Sequence, residues 1–352
     1  MEKRPTVRIG GRLVGEEHGV FIIAEAGVNH NGSVDAAHRL IDAAREAGAD
    51  AVKFQAFCAD RLVAADAPLC DYQQARAQSG SQRELLRRLE LRRDDFAALK
   101  KHADAAGVAF LATPFGLDEL RMLCDLGVPA IKIASPDLVN VPLLAAAADT
   151  GRPMILSTGA SELAEVDAAV ETLFQRGATD RLVLLHCVSS YPTPPADARL
   201  RCIRTLADRF AVPVGFSDHT ASPDIGAVAV AVGAAVLEKH LTLDRRAAGP
   251  DHFFSLEPEP FSRYVAAARQ AYQSLGDGNI RCCSAERQVR ELARGSVVAA
   301  THIPAGKRLT SDVLAIRRPA GGIEPAQWTT LLGRVAKTDI PADTRLSWAM
   351  LH

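Results

Sequence analysis

Hydrophobic positions along the chain follow two alternating rhythms. Short apolar runs, rich in β-branched and aliphatic residues, occur at 21–26, 51–55, 108–113, 130–135, 154–158, 182–187, 213–217 and 235–240. Each is short and almost continuously apolar, as a strand covered on both faces must be. Between them lie longer segments with helical spacing, at 34–47, 83–106, 117–126, 142–150, 162–177, 200–210 and 224–232. Eight strands alternating with helices predict an α/β protein built as a closed parallel (β/α)8 TIM barrel. The alternative, an open doubly wound sheet, usually has fewer strands and a Gly-rich turn after the first. No GxGxxG follows residues 21–26.

Residues 7–19 (VRIGGRLVGEEHG) predict a hairpin with a Gly-Gly turn that caps the barrel floor. The connection at 56–82 is long and polar, and such loops in a compact domain are more often functional than idle. Near residue 277 the rhythm changes. Gly-Asp-Gly-Asn (276–279) ends the last barrel helix, a charged segment follows, and short strands with turns come after it. Two phrases there echo one another, HIPAGKRL (302–309) and DIPADTRL (339–346). The pattern predicts a barrel domain over 1–280, a linker over 281–295 and a small β-rich domain over 296–352. A domain of that size is marginal alone and is expected to pack on something.

Composition narrows the function. Lys+Arg (41) nearly cancels Asp+Glu (42), so no polyelectrolyte attraction draws the chain to nucleic acid or an anionic membrane. No apolar run approaches a membrane span, and the first residues lack the apolar core of a signal peptide, so a cytoplasmic location is expected. Seven cysteines without CxxC spacing argue against a disulfide scaffold or zinc ribbon. The adjacent Cys282 and Cys283 read as linker residues, since neighbouring side chains rarely serve one ion together.

In this barrel type the active site lies at the C-terminal strand ends. Here all eight ends are polar: Glu25; Lys53 and Gln55; Thr113; Lys132 and Ser135, with Asp137 just after; Ser157; His186 and Cys187, then Ser189 and Tyr191; Ser217, Asp218 and His219; Glu238, Lys239 and His240, with Asp251 beyond. Burying so many polar groups is costly unless they converge on a function. Lys53 and Lys132 with their serines suit a phosphate or carboxylate; salt bridges with Glu25 and Asp137 are the plainer reading. His219 and His240 end neighbouring strands, about 5 Å apart, so both imidazoles can reach one ion, or can pair as neutral hydrogen-bonded rings. Two nitrogens with water or carboxylates completing the shell suit Mn2+ or Mg2+ better than structural zinc. Glu25 and Asp137 are carboxylates in a cationic setting, suited to act as acid or base or to bind sugar hydroxyls.

These residues sit in phrases that resemble the sialic acid (nonulosonic acid) synthases: IAEAGVNHNG (23–32), VKFQ (52–55), ATPF (112–115), KIASPD (132–137), STGA (157–160), LHCVSSYPTP (185–194), GFSDHT (215–220), EKHLT (238–242), GPDHFFSLEP (249–258) and IRRPAGGI (316–323). The resemblance spans nearly the whole chain, and its C-terminal part looks like the antifreeze-like SAF domain of that family. It implies condensation of phosphoenolpyruvate with the open-chain aldehyde of an N-acetylated amino sugar, giving a nine-carbon 2-keto acid and phosphate. By the same resemblance Lys53, Lys132, Ser135, Ser157, Ser189 and Ser217 would hold phosphoenolpyruvate. His219 and His240 would hold a divalent metal, Mn2+ or Mg2+, and Asp137 and Glu25 would be the catalytic carboxylates. Gln55, Tyr191, Asp251 and Arg318 would meet the sugar, Arg318 from the SAF domain of the other subunit in a domain-swapped homodimer. Two departures stand out: Ser189 occupies a position that is Asn in some members, and KIASPD replaces KIGSGE, placing Pro136 before the acid. The segments 67–74 and 81–91 look more like the neuraminate and legionaminate branches than the pseudaminate branch.

Overall fold

The computed structural model describes residues 5–64, 67–69 and 80–352. Part of the 56–82 connection and of the segment 67–74 therefore lies outside the described residues. The chain divides into two compact units, Met1–Gly276 and Asp277–His352.

The first unit opens with a hairpin, β1 (Val7–Ile9) and β2 (Arg12–Val14), paired antiparallel around Gly10 and Gly11. Both glycines have positive φ, the backbone state that only glycine adopts cheaply and that a two-residue hairpin turn requires. Eight parallel strands follow: β3 (Phe21–Gly27), β4 (Ala51–Ala56), β5 (Ala109–Pro114), β6 (Ile131–Ile133), β7 (Met154–Ser157), β8 (Leu182–Cys187), β9 (Val214–Asp218) and β10 (Val236–His240). Their order is β5-β4-β3-β10-β9-β8-β7-β6, and the end strands β5 and β6 lie alongside each other, bringing the sheet round into a barrel. The intervening helices cover it: α1 (Val34–Glu46), α2 (Ala59–Leu62), α3 (Gln82–Arg87), α4 (Arg93–Ala106), α5 (Leu117–Asp125), α6 (Val141–Asp149), α7 (Leu163–Gln175), α8 (Arg201–Phe210), α9 (Ile225–Val232) and α10 (Pro258–Leu275).

Alternation along each strand divides the apolar residues between two cores. Phe21, Ile23, Ala51, Leu111, Ile155, Val183 and Val236 fill the barrel interior and pack on Val7, Ile9 and Val14, so the hairpin closes the floor. Ile22, Val52, Phe110, Leu156, Phe216 and Leu237 point the other way, into the helix layer.

Two expectations are corrected. The helix expected over 83–106 is two helices, α3 and α4. The chain breaks after Arg88 because Asp95 accepts from the Arg92 N–H at 2.8 Å, which caps a new helix start beside the acidic Asp94. The strand expected over 130–135 stops at Ile133, since Pro136 directs Ser135–Val139 into a 3-10 turn.

The second unit holds α11 (Arg287–Ala293), β11 (Ser296–Ala299) paired antiparallel with β12 (Leu314–Arg317), and α12 (Trp328–Leu331). The two echoed phrases meet face to face. Ile303 and Ile340 exchange both backbone hydrogen bonds at 2.9 Å. Gly306 and Asp343, at matching places, both adopt positive φ, and Leu309 and Leu346 enter one core.

Candidate active site

The C-terminal strand ends surround a cavity of about 200 Å³. Every barrel strand contributes to it: Glu25, Lys53 and Gln55, Thr113, Lys132, Ser157, Cys187, Ser217, and Glu238 with His240. Ser135 and His219 line it just beyond their strands, and Tyr191 and Asp251 enter from loops. The two-residue strand period selects these groups, turning Glu238 and His240 inward while Lys239 faces the helices.

At its base two lysines and two carboxylates form a buried quartet. Lys53 Nζ lies 2.7 Å from Glu25 and 3.7 Å from Glu238, and Lys132 Nζ lies 3.7 Å from Glu238. Lys53 also donates to Thr113 Oγ1 at 3.2 Å, Lys132 to Ser157 Oγ at 2.8 Å, and Ser217 to Glu238 at 3.1 Å. The lysines line the cavity and pair with carboxylates there. The partners are Glu25 and Glu238, not Asp137.

Burial is the largest influence on all four groups and disfavours charge. The lysines nevertheless hold Glu238 below its ordinary pKa, and the carboxylates hold Lys53 above its own. For Glu25 and Lys132 burial wins, raising the acid and lowering the amine. An incoming anion favours the charged form of Lys132.

Above the quartet the two imidazoles stand with ring centroids 5.4 Å apart. His219 donates from Nδ1 to the Val188 carbonyl at 2.9 Å, which leaves the lone pair of the neutral ring on Nε2. His240 is held neutral, its pKa pushed well down by burial and then by His219 and the lysines. Its Nδ1 is buried without a hydrogen-bond partner, 3.9 Å from Asp251. Burial, then Glu25, pushes the Asp251 carboxyl up to about 7. Tyr191 packs against His219 at 4.4 Å, and Phe254 against His240 at 4.7 Å. Among the described residues no group of three or more His, Cys, Asp or Glu gathers around one point. The donors that the histidine pair offers are therefore two imidazole nitrogens, one of them an orphaned buried atom.

Three expected residues lie elsewhere. Asp137 is half-buried in the 3-10 turn, one residue past the cavity-lining Pro136, and accepts from Asn140 Nδ2 at 2.9 Å. Burial pushes its carboxyl up against that hydrogen bond. Ser189 is exposed and lines a neighbouring groove with Thr158, Ser161 and Arg199. Its Oγ lies beside Gly159, whose N–H donates to Ser135 Oγ at 2.9 Å. A Cβ on Gly159 would lie 2.8 Å from Ser135 Oγ and 2.9 Å from Cys187 Sγ, and against Ser189 Oγ, so no larger residue fits this wall. Arg318 is exposed in the second unit, just after β12.

Glu238, Cys187 and Thr113, named among the polar strand ends but given no individual role there, complete the site. Alternation could have found Glu238, two residues before the inward-facing His240. Cys187 lies 3.7 Å from His219 Nδ1, a contact with no sequence signal because 31 residues intervene.

Comparison with known proteins follows the same outline. Residues 40–280 match the NeuB family, and residues 294–352 match the SAF domain. The chain is 40% identical to N,N'-diacetyllegionaminic acid synthase of Legionella pneumophila over 332 residues, 93% of each chain. It is 35% identical to N-acetylneuraminate-9-phosphate synthase of Mus musculus over 337 residues, 95% of this chain and 93% of that one. The crystal structure of N-acetylneuraminic acid (sialic acid) synthetase from Leptospira borgpetersenii serovar Hardjo-bovis, in complex with citrate, matches with a TM-score of 0.72 at 36% identity, covering 81% of this chain and 95% of that chain. With a family match over residues 40–280 and relatives at 35–40% identity along almost the whole chain, the chain belongs to the NeuB family and carries an SAF domain.

Proposed function

We propose that this protein condenses phosphoenolpyruvate with the aldehyde of an N-acetylated amino sugar to give a nonulosonic acid and phosphate. The observation that carries this reading is the buried Lys53–Lys132–Glu25–Glu238 quartet directly beneath the His219–His240 pair in one cavity. Lys53, Lys132, Ser135, Ser157 and Ser217 bind the phosphate and carboxylate of phosphoenolpyruvate. Ser189, whose Oγ shares the side of Gly159 that Ser135 Oγ occupies, joins them. The C3 carbon of phosphoenolpyruvate bonds to the aldehyde carbon, the aldehyde oxygen gains a proton, water adds at C2, and the C2–O bond to phosphate breaks.

His219 and His240 would hold the divalent cation, Mn2+ or Mg2+, which when bound supplies Lewis acidity toward the aldehyde oxygen. Its two charges also offset an anion that the paired lysines alone do not neutralise. Glu25, inside the cavity, moves the proton of the attacking water. Asp137, at the rim with a raised pKa, is the acid facing the sugar side.

Gln55, Tyr191 and Asp251 bind the sugar, and Arg318 reaches it from the SAF domain of a second copy in a homodimer. Val28, Leu85, Leu86, Leu89 and Phe115 make one flank of the cavity apolar. Three methyl groups suit that flank better than one, so the acceptor is 2,4-diacetamido-2,4,6-trideoxymannose rather than N-acetylmannosamine, and the product N,N'-diacetyllegionaminate. Phosphate release over an aldose panel, with product mass measured, tests both levels. Turnover with the diacetamido sugar above N-acetylmannosamine is expected. Turnover with erythrose 4-phosphate or arabinose 5-phosphate, and with neither amino sugar, would overturn the reading.

A further inference from the structure

Behind the two histidines, on the outer face of the same strands, lies an ion pair that the chemistry above does not use. Lys239 Nζ sits 3.2 Å from Asp218 Oδ1, and both side chains are almost fully buried. They lie in the layer where α9 and α10 cover the barrel, among Leu237, Phe216, Val230 and Tyr264. Lys239 Nζ is 5.6 Å from the Tyr264 ring centroid. The Tyr264 hydroxyl faces Asp218 without closing a hydrogen bond of normal geometry. Gly226 on α9 makes room for that ring, since a Cβ there would overlap it.

A buried ion pair in an apolar layer is not explained by stability. Desolvating two charges offsets most of their attraction, and well-packed apolar residues of similar size serve as well or better. What this pair does differently is geometric. Asp218 Oδ1 accepts the Thr220 N–H at 2.8 Å, and Lys239 donates to the Thr220 carbonyl. Residues 218 and 220 flank His219, and Lys239 precedes His240. The strands are in register here, with Lys239 opposite Asp218 and Glu238 opposite Ser217. One ammonium thus ties the backbone on both sides of one imidazole to the residue adjoining the other.

We propose that Lys239 and Asp218 are positioning residues that set the separation of His219 and His240, and thereby the affinity for the divalent cation. The inference rests on the metal reading above. Groups that orient metal ligands typically change affinity about 10–100-fold when removed.

The test uses full-length protein stripped with EDTA and titrated with Mn2+, reading free Mn2+ by electron paramagnetic resonance. The double variant Asp218→Leu with Lys239→Met removes the tie without leaving a buried unpaired charge. It is expected to melt no lower than wild type and to bind Mn2+ about 10–100-fold more weakly. Lys239→Met alone takes the ammonium from both Asp218 and the Thr220 carbonyl and carries the same test should the double variant not fold. Unchanged Mn2+ affinity in a folded variant overturns the positioning role and leaves the metal site standing. A wild-type protein that binds no Mn2+ overturns the metal reading itself, and the positioning role with it.

Discussion

Replacing Glu238 with glutamine removes one charge from the buried quartet while keeping its shape and its hydrogen bond from Ser217. Lys53 and Lys132, each 3.7 Å from this carboxylate, are left with Glu25 alone. Neutralising one partner of a buried ion pair costs about 3–5 kcal/mol, because the other charge stays desolvated. A unit the size of Met1–Gly276 unfolds with an entropy near 0.6 kcal/mol per kelvin. The expected drop in melting temperature is therefore about 5–9 °C. The same change makes the cavity more positive. At about 6 Å and an effective dielectric near 20, one unit of charge is worth about 2–3 kcal/mol to a bound anion. Phosphate should then raise the melting temperature of Glu238→Gln more than that of wild type. Thermal denaturation with and without inorganic phosphate reads both effects. An unchanged melting temperature with equal phosphate shifts would show that the lysines are not held as a charged cluster, and the anion-site reasoning would fail.

His30 provides a pH test, since burial holds its pKa down at about 4 against an ordinary 6.5. The unfolded chain takes up that proton below pH 6.5 while the fold refuses it, so this stability is full above pH 6.5 and is lost as pH falls to about 4. It amounts to about 3 kcal/mol, and His30→Gln should flatten the denaturation profile over that window; an unaltered slope would exclude the group. Chelation by EDTA should abolish phosphate release and Mn2+ should restore it, whereas turnover fully resistant to chelation would remove the metal from the proposed function. In the full chain, Arg318→Ala should raise KM for the amino sugar and leave KM for phosphoenolpyruvate unchanged; equal effects on both would exclude a role in reading the sugar.

Much of the architecture was legible because it is local. Short, almost continuously apolar runs and 3.6-period segments follow from backbone geometry within a few residues, and they placed all eight barrel strands and, with the Gly-Gly turn, the floor hairpin. The strand-end rule then picked out most of the cavity, Lys53, Lys132, Ser157, Ser217, His219 and His240 included. The helix over 83–106 was not legible as two, because its apolar spacing carries on across a break made by one backbone-to-carboxylate hydrogen bond at Arg92.

The sequence by itself determined which groups come to the barrel mouth, since strand alternation commits a side chain to one face wherever the strand finally lies. It could not determine which of those groups touch. The pairing of Glu238 with both lysines, of Cys187 with His219, and of Lys239 with Asp218 joins residues 21 to 185 positions apart across closed strands. Such contacts depend on barrel closure and register, which no single segment contains. Tertiary structure also placed Asp137 one residue past the cavity-lining Pro136 and Ser189 in a neighbouring groove, where a proline turn and an exposed loop carry them off the inward face. Proximity across the barrel is decided by the packing of eight strands at once, and there the reach of local chemistry ends.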